Sequence, residues 1–369
     1  MAYLQQCGQR QRLAIRLPKT PRWGSAKDRA PGEDGNHDLR ETIMDSSNQN
    51  LGADPFAGSP LIPYEELETL TLNQDPDNPR VARITFNRPE KLNAISFHTP
   101  AEIRRAVEVA NDCEDIHVIV LQGAGPAFCA GYDITLFGEG MEDQPCKQES
   151  EPWDPMVDYR AMRRNTDDFM SLWRSHKPTI ARVHKYAIAG GSDIALCCDQ
   201  VIMENSARIG YMPVRVWGCP TTAHWTYRLG PERAKRMTLT GDLIDGVKAE
   251  DWGLVSESVP GEALTEAVDR LAARISSVPT GMLMMQKMIV NEAMERMGLM
   301  ASQTMATVFD GITRHNPEGK WFRRYAQANR FKSAVEWRDS GRPIPEGDEA
   351  RAAIAELEAQ IAESQGSRT

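Results

Sequence analysis

The chain has 369 residues, 41% of them hydrophobic and 26% charged, enough apolar material for one large globular domain or two ordinary ones. With 43 Lys and Arg against 52 Asp and Glu the formal charge is −9, which excludes broad affinity for nucleic acid or an anionic membrane surface. No apolar run approaches the ~20 residues that span a bilayer. The 7 cysteines form neither a CxxC nor a Cys/His spacing suited to zinc, so we expect no metal site and reduced thiols in the cytoplasm.

Residues 1–55 read as a disordered extension, in which basic GQRQRLAIRLPKTPRWGSAKDR is followed by acidic PGEDGNHD. VARITF (81–86) alternates like a strand, and NRPEKLN carries turn chemistry. Thr99-Pro100-Ala101-Glu102 predicts a helix start, with Thr99 as N-cap, Pro100 at the first helical position and Glu102 closing a capping box. Ile103, Ala106, Val107 and Ala110 follow at helical spacing and predict its buried face.

IHVIVLQG (116–123) reads as a buried strand, and GAGPAFCAGYDITLF as a loop entering another helix. Residues 138–157 are polar and Pro-bearing, which predicts a surface loop. YRAMRRNTDDFMSLWRS is helical, and KPTIARVHKYAIAGG supplies a further strand and turn. Alternation at this spacing predicts an α/β protein whose strands are covered by helices.

Helical signals dominate after about residue 230. MLMMQKMIVNEAMERMGLMASQTMATVFDGI is long enough for two helices, and its methionines suit an adaptable core or a subunit interface. EGDEARAAIAELEAQIAES reads as a solvated terminal helix.

Two glycine turns carry candidate chemistry. FCAGYDI (128–134) and AIAGGSDI (187–194) each follow a strand-like run and enter a helix, with backbone N–H groups available at a tight turn. Two such groups brought together would form an oxyanion hole, and a helix N-terminus would add positive partial charge. Ser192 or Asp193 could equally serve as the cap of the second helix.

Five stretches, FNRPEKLNAIS, VLQGAGPAFCAGYDI, KPTIARVHKYAIAGGSDIALCCD, ARIGYMP and LTGDLIDGVKAEDWGLVSESVP, resemble in order the signatures of the crotonase, or enoyl-CoA hydratase/isomerase, family. The resemblance covers about residues 80–260. It implies an α/β fold, a crotonase-type spiral of ββα units over 56–275, then a helical trimerisation segment over 276–345 and a terminal helix or tail over 346–369. It further implies a homotrimer or hexamer acting on an acyl-CoA thioester, with coenzyme A as part of the substrate and no separate cofactor. The oxyanion-hole amides carry over onto Tyr132 and Gly190, with Gly191 keeping the turn open. Substrate contacts carry over near Lys91, Leu92, Ala94, Ala130, Asp133 and Ile134. Arg338 in SAVEWRDS would contact a CoA phosphate from a neighbouring subunit.

Hydratases of this family use two glutamates. The first position falls on Asp193, a carboxylate shorter by one methylene. The second falls on Pro213 or Val214, neither of which transfers a proton, and no Asp or Glu lies between Asn205 and Gly230. The polar groups there are Tyr211, Arg215, Trp217, Thr221, Thr222 and His224; His224 is expected either to titrate near neutrality or to serve as a structural hydrogen-bonder. Trp153, Met156 and Trp217 are expected to line the acyl pocket. The resulting expectation is a thioester enolate held in a backbone oxyanion hole, with Asp193 as acid/base. One base suffices to shift a double bond, so isomerisation fits better than hydration; a non-catalytic acyl-CoA binder is the alternative of another class.

Overall fold

The computed structural model describes residues 61–133, 136 and 153–366, all within the unit Ala53–Thr369. The extension read over residues 1–55, Ile134 and most of the 138–157 loop lie outside the described residues. The first half runs β1 (Leu70–Gln74), β2 (Val81–Phe86), α1 (Thr99–Asp112), β3 (Val118–Gly123), α2 (Pro155–Arg174), β4 (Thr179–Val183), β5 (Tyr186–Ile188) and α3 (Gly190–Leu196). There follow β6 (Gln200–Glu204), β7 (Arg208–Gly210), α4 (His224–Thr240), β8 (Leu243–Asp245), α5 (Gly246–Asp251) and β9 (Glu257–Val259). The chain then continues through α6 (Leu264–Ser276), α7 (Thr280–Arg296), α8 (Leu299–His315), α9 (Pro317–Asn329), α10 (Phe331–Asp339) and α11 (Gly347–Gly366).

β1 and β2 form an antiparallel hairpin whose turn is held by Asp75, which accepts from the amides of Asp77 (2.9 Å) and Asn78 (2.8 Å). From β2 onward the large sheet is parallel, in the order β1-β2-β3-β4-β6-β9. Every residue of β2 and β3 is buried, as a parallel sheet covered on both faces requires. Ile103, Ala106 and Val107 of α1 join Leu72, Ile84, Phe86 and Leu121 in one core. On the other face Leu264, Ala267 and Val268 of α6 meet Val81, Val118, Val120, Ile180 and Ile202.

A small second sheet, β5-β7-β8, lies beside the first in the chain's path. Each turn of the chain visits the large sheet, then the small one, then a helix: β4–β5–α3, then β6–β7–α4. This is the spiral of ββα units, followed by a helical C-terminal region.

Several local expectations need correction. His98, not Thr99, is the N-cap of α1, and no side chain caps it. The Thr99 hydroxyl accepts instead from the Ser96 amide (3.0 Å). Glu102 closes no capping box, because the stretch entering β1 crosses the first turn and offers two donors, the amides of Glu68 (2.8 Å) and Thr69 (3.0 Å). The short strands β8 and β9 lie in the region read as helical; three residues each are too few to show a period. α11 is not solvated all round: Ala350 and Leu357 are buried with Trp321 and Phe322 of α9. Half of its packed stripe, Ala350 and Ala353 beside Ile354 and Leu357, is alanine, which reads weakly as apolar.

Candidate active site

The stretch after β3 is zipped between two neighbours. On one side the Ile95 amide donates to Gly131 O (2.8 Å) and the Asp133 amide to Ile95 O (2.9 Å). On the other, the Cys129 amide donates to Tyr186 O (2.9 Å) and the Ile188 amide to Cys129 O (3.2 Å). Bonds through residues 131 and 133 turn the intervening Tyr132 amide to the opposite side of the chain. The same zipper sets the Tyr132 turn against the head of α3. A Cβ on Gly131 (φ +88) would lie 2.9 Å from Ala189 Cβ and 3.7 Å from the Gly190 nitrogen.

Ala189 precedes α3 with φ 52 and ψ −127, a conformation a non-glycine residue holds at a cost of about 1–3 kcal/mol. Its amide donates to Gly210 O (2.9 Å), and its carbonyl accepts from the Ser192 amide (3.0 Å) and hydroxyl (2.6 Å). The turn aims the first helical amide, Gly190, away from the helix body, where no intrahelical carbonyl meets it. Neither Ser192 nor Asp193 caps the helix: the N-cap is Ala189, and the Ser192 hydroxyl is a donor. Gly191 packs rather than opens the turn, since a Cβ there would lie 2.5 Å from Cys129 O.

Asp193 is buried on the first turns of α3, and its Oδ1 accepts from the Thr222 hydroxyl at 3.0 Å. Burial raises its pKa well above the ordinary carboxylate value, and the charge of Asp310 adds to the rise. The Thr222 hydroxyl and Thr221 amide oppose it without cancelling it. The Thr221 hydroxyl accepts from Thr166 of α2 (2.7 Å), and Thr222 O accepts from Gln303 of α8 (3.0 Å). The Tyr132 phenol is raised by burial and bonded to Asn165, and Tyr211, also raised by burial, donates to Cys219 O (3.1 Å). Both phenols are therefore neutral.

His224 neither titrates near neutrality nor acts as a hydrogen-bonder. Burial, assisted by Arg228 and Arg174, lowers its pKa to about 3, and both ring nitrogens lack a partner among the described residues.

Lys91 and Leu92 lie on an exposed turn, with Leu92 at φ 52, and the Ala130 amide donates to Leu92 O (3.0 Å). Ala94 and Asp133 are tied together by an arginine that sequence reasoning missed: Arg88 donates to Ala94 O (2.6 Å) and pairs with buried Asp133 Oδ2 (2.8 Å). Pro213 and Val214 sit in the 3-10 turn Met212–Arg215. Arg338 is not an exposed phosphate contact. It is buried, with its guanidinium paired to both Asp339 oxygens (2.6 and 3.0 Å). Trp217 packs on Phe322 of α9, ring centroids 5.1 Å apart, and Trp153 donates to Asp158 (2.7 Å) while stacking on His315. Met156 is exposed.

Asp310 and Arg314 of α8 were likewise unmarked in the sequence. Asp310 is buried, its Oδ1 accepts from the Cys219 amide (3.0 Å), and Arg314 pairs with its Oδ2. Among the described residues, no group of three or more His, Cys, Asp or Glu could hold a metal ion, and no helix is long and apolar enough to cross a membrane.

The family described as enoyl-CoA hydratase/isomerase matches residues 77–332. The crystal structure of an enoyl-CoA hydratase from Mycobacterium smegmatis superposes with a TM-score of 0.69 at 44% identity, over 76% of this chain and 96% of that one. An enoyl-CoA hydratase/isomerase from Xanthobacter autotrophicus Py2 superposes with a TM-score of 0.67 at 27% identity, over 75% of this chain and 99% of that one.

Proposed function

The chain belongs to the enoyl-CoA hydratase/isomerase family of enzymes, and on that premise we propose that it acts on an enoyl- or acyl-CoA thioester through an enolate held by the Tyr132 and Gly190 amides. The observation that carries this reading is the buried Asp193 at the head of α3, beside the two zipped turns. A thioester oxygen placed between the two amides would gain negative charge as a proton leaves or joins the adjacent carbon, and fixed donors in a dry site stabilise that charge most. Asp193 exchanges the proton. Burial holds the proton on Asp193 to a higher pH than on an ordinary aspartate, which suits a group that both takes up and returns a proton.

Coenzyme A enters this scheme only as part of the substrate. The exposed Lys91–Leu92 turn, with Ala94 and Ala130 beside it, is the place we assign to the coenzyme moiety. Double-bond isomerisation is favoured over hydration by one observation: residues 213 and 214 are proline and valine, and neither can hold a proton.

We also assign a homotrimer or hexamer. The buried residue of α7 is Lys287, which pairs with Asp199 (2.8 Å) and donates to Leu172 O and Lys177 O (3.1 Å each). Met285, Met288, Ile289 and Val290 of that helix are more than half exposed, an apolar face that a second copy would cover. The described cysteines are unpaired thiols, in keeping with a reducing compartment such as the cytoplasm.

The test is a panel of enoyl-CoA thioesters of graded chain length, assayed with wild type and Asp193→Ala. A loss of about 10²-fold or more in the variant is expected; indistinguishable turnover would remove Asp193 from its role. Oxygen-18 uptake from labelled water reports hydration, and double-bond migration without uptake reports isomerisation. Tight thioester binding with no conversion across the panel would mark a non-catalytic binder.

A further inference from the structure

The stretch 211–222 contains no acid, yet α8 brings one to it. Three bonds clamp the stretch to that helix: the Gly218 amide to the Thr313 hydroxyl (2.9 Å), the Cys219 amide to Asp310 Oδ1 (3.0 Å), and Gln303 Nε2 to Thr222 O (3.0 Å). Thr222 also gives its hydroxyl to Asp193 Oδ1 (3.0 Å), so residues 219–222 hold Asp310 at one end and Asp193 at the other. Asp310 reaches the neighbourhood of residue 213 as well. A Cβ on Gly218 would lie 3.2 Å from Pro213 Cβ, 3.5 Å from Asp310 Oδ1 and 3.8 Å from the Tyr211 hydroxyl.

We propose that Asp310 is the second carboxyl of the site, supplied by α8 in place of residue 213 or 214, and that it acts as a positioning residue on the proton carried by Asp193. The proposal rests on Asp193 being the acid/base group.

The two carboxyls differ in their partners. Asp310 is met by a cation, Arg314, and by a backbone amide; Asp193 is met by a neutral hydroxyl and a neutral amide. Two carboxyls in one buried site do not both ionise readily, and the one beside a fixed cation takes the charge. Asp310 is then the resting carboxylate, and Asp193 keeps the proton.

The other groups around the pair do not undo this. Burial raises the pKa of Asp310 as well, and Asp158 of α2 adds to the rise, while Arg314 and the Cys219 amide lower it, a cation that Asp193 lacks; Tyr132, Tyr211 and Cys219 are neutral, as is Cys197 at the end of α3, all held so by burial. A hydrogen bond to α8 made only for packing would tolerate an amide at 310. A charge that sets the protonation of Asp193 would not.

The experiment titrates the Asp193 carboxyl by infrared or carbon-13 spectroscopy in full-length wild type and Asp310→Asn, with Asp193→Asn identifying the signal. Removing the Asp310 charge should move the Asp193 midpoint down by at least one pH unit, a tenfold rise in its acidity, with the acid limb of any thioester turnover, set by ionisation of the base, moving by the same amount. An unchanged midpoint in folded Asp310→Asn overturns the proposal. Should that variant not fold, Arg314→Gln serves instead: without the cation Asp310 takes up the proton, and the Asp193 midpoint should again fall, whereas an unchanged midpoint again overturns it. Failure of the enzymatic reading would show separately, as absence of wild-type turnover at any pH, and the titration stays readable in that case.

Discussion

Alanine at position 190 adds the smallest side chain against the Tyr132 ring, at one of the two residues of the proposed oxyanion hole. Gly190 does not have a positive φ, so alanine meets no backbone strain there and its cost is steric. The new Cβ would stand 2.7 Å from Ile95 Cδ1 and 2.8 and 3.1 Å from Tyr132 Cε2 and Cδ2. Carbon atoms at optimal separation are about 3.5 Å apart or more, so the Tyr132 ring has to yield by roughly 0.7 Å. That displacement falls on the residue that supplies the other amide, and one methyl therefore disturbs both donors. Overpacking of this size costs about 1–3 kcal/mol of stability, and misplacing an oxyanion donor costs about 10²–10³ in kcat. Thermal melting and steady-state turnover of an enoyl-CoA on Gly190→Ala separate the two effects. A folded variant with kcat within about threefold of wild type would refute the placement of the reacting oxygen at Gly190.

Two further predictions concern buried charge. His224 has its pKa lowered to about 3, below the ordinary value of about 6.5, so the unfolded chain binds the proton more readily. Stability present above about pH 6.5 should fall as the pH drops toward about 3, by up to roughly 1.4 kcal/mol per unit. Urea unfolding at neutral and acid pH should show His224→Phe losing less than wild type, and parallel losses would contradict the assignment. Lys287→Met takes the buried ammonium from half-buried Asp199, which keeps its bond from the Thr179 amide (2.7 Å), at a cost of about 1–3 kcal/mol; adding Asp199→Asn should recover part of it, and strictly additive penalties would show the pair uncoupled.

The parts of the fold legible in the sequence are those with a local period. Strand β2 and the face Ile103, Ala106, Val107 and Ala110 of α1 lie where alternation and helical spacing put them. The ββα spiral became readable from the five ordered motifs. The cap of α1 was misread because the competing donors to Glu102 come from residues 68 and 69, a contact no local pattern announces. Gly190 and Asp193 stood out because a Gly-Gly turn before an acid is a local signal. Asp310 did not, since on its own helix it is one acid four residues before an arginine, and only packing sets it near Asp193. His224 shows the same limit: the residue type suggests titration near neutrality, whereas burial decides otherwise.

The central claim is that the Tyr132 and Gly190 amides and Asp193 together make and quench a thioester enolate. Proton exchange at the carbon beside the thioester tests this without requiring either hydration or isomerisation. A saturated acyl-CoA incubated in deuterium oxide with wild type should take up deuterium at C2, and Asp193→Asn should exchange about 10²-fold more slowly or less. Equal exchange by both proteins, or saturable binding of the thioester with no exchange by wild type, would contradict it.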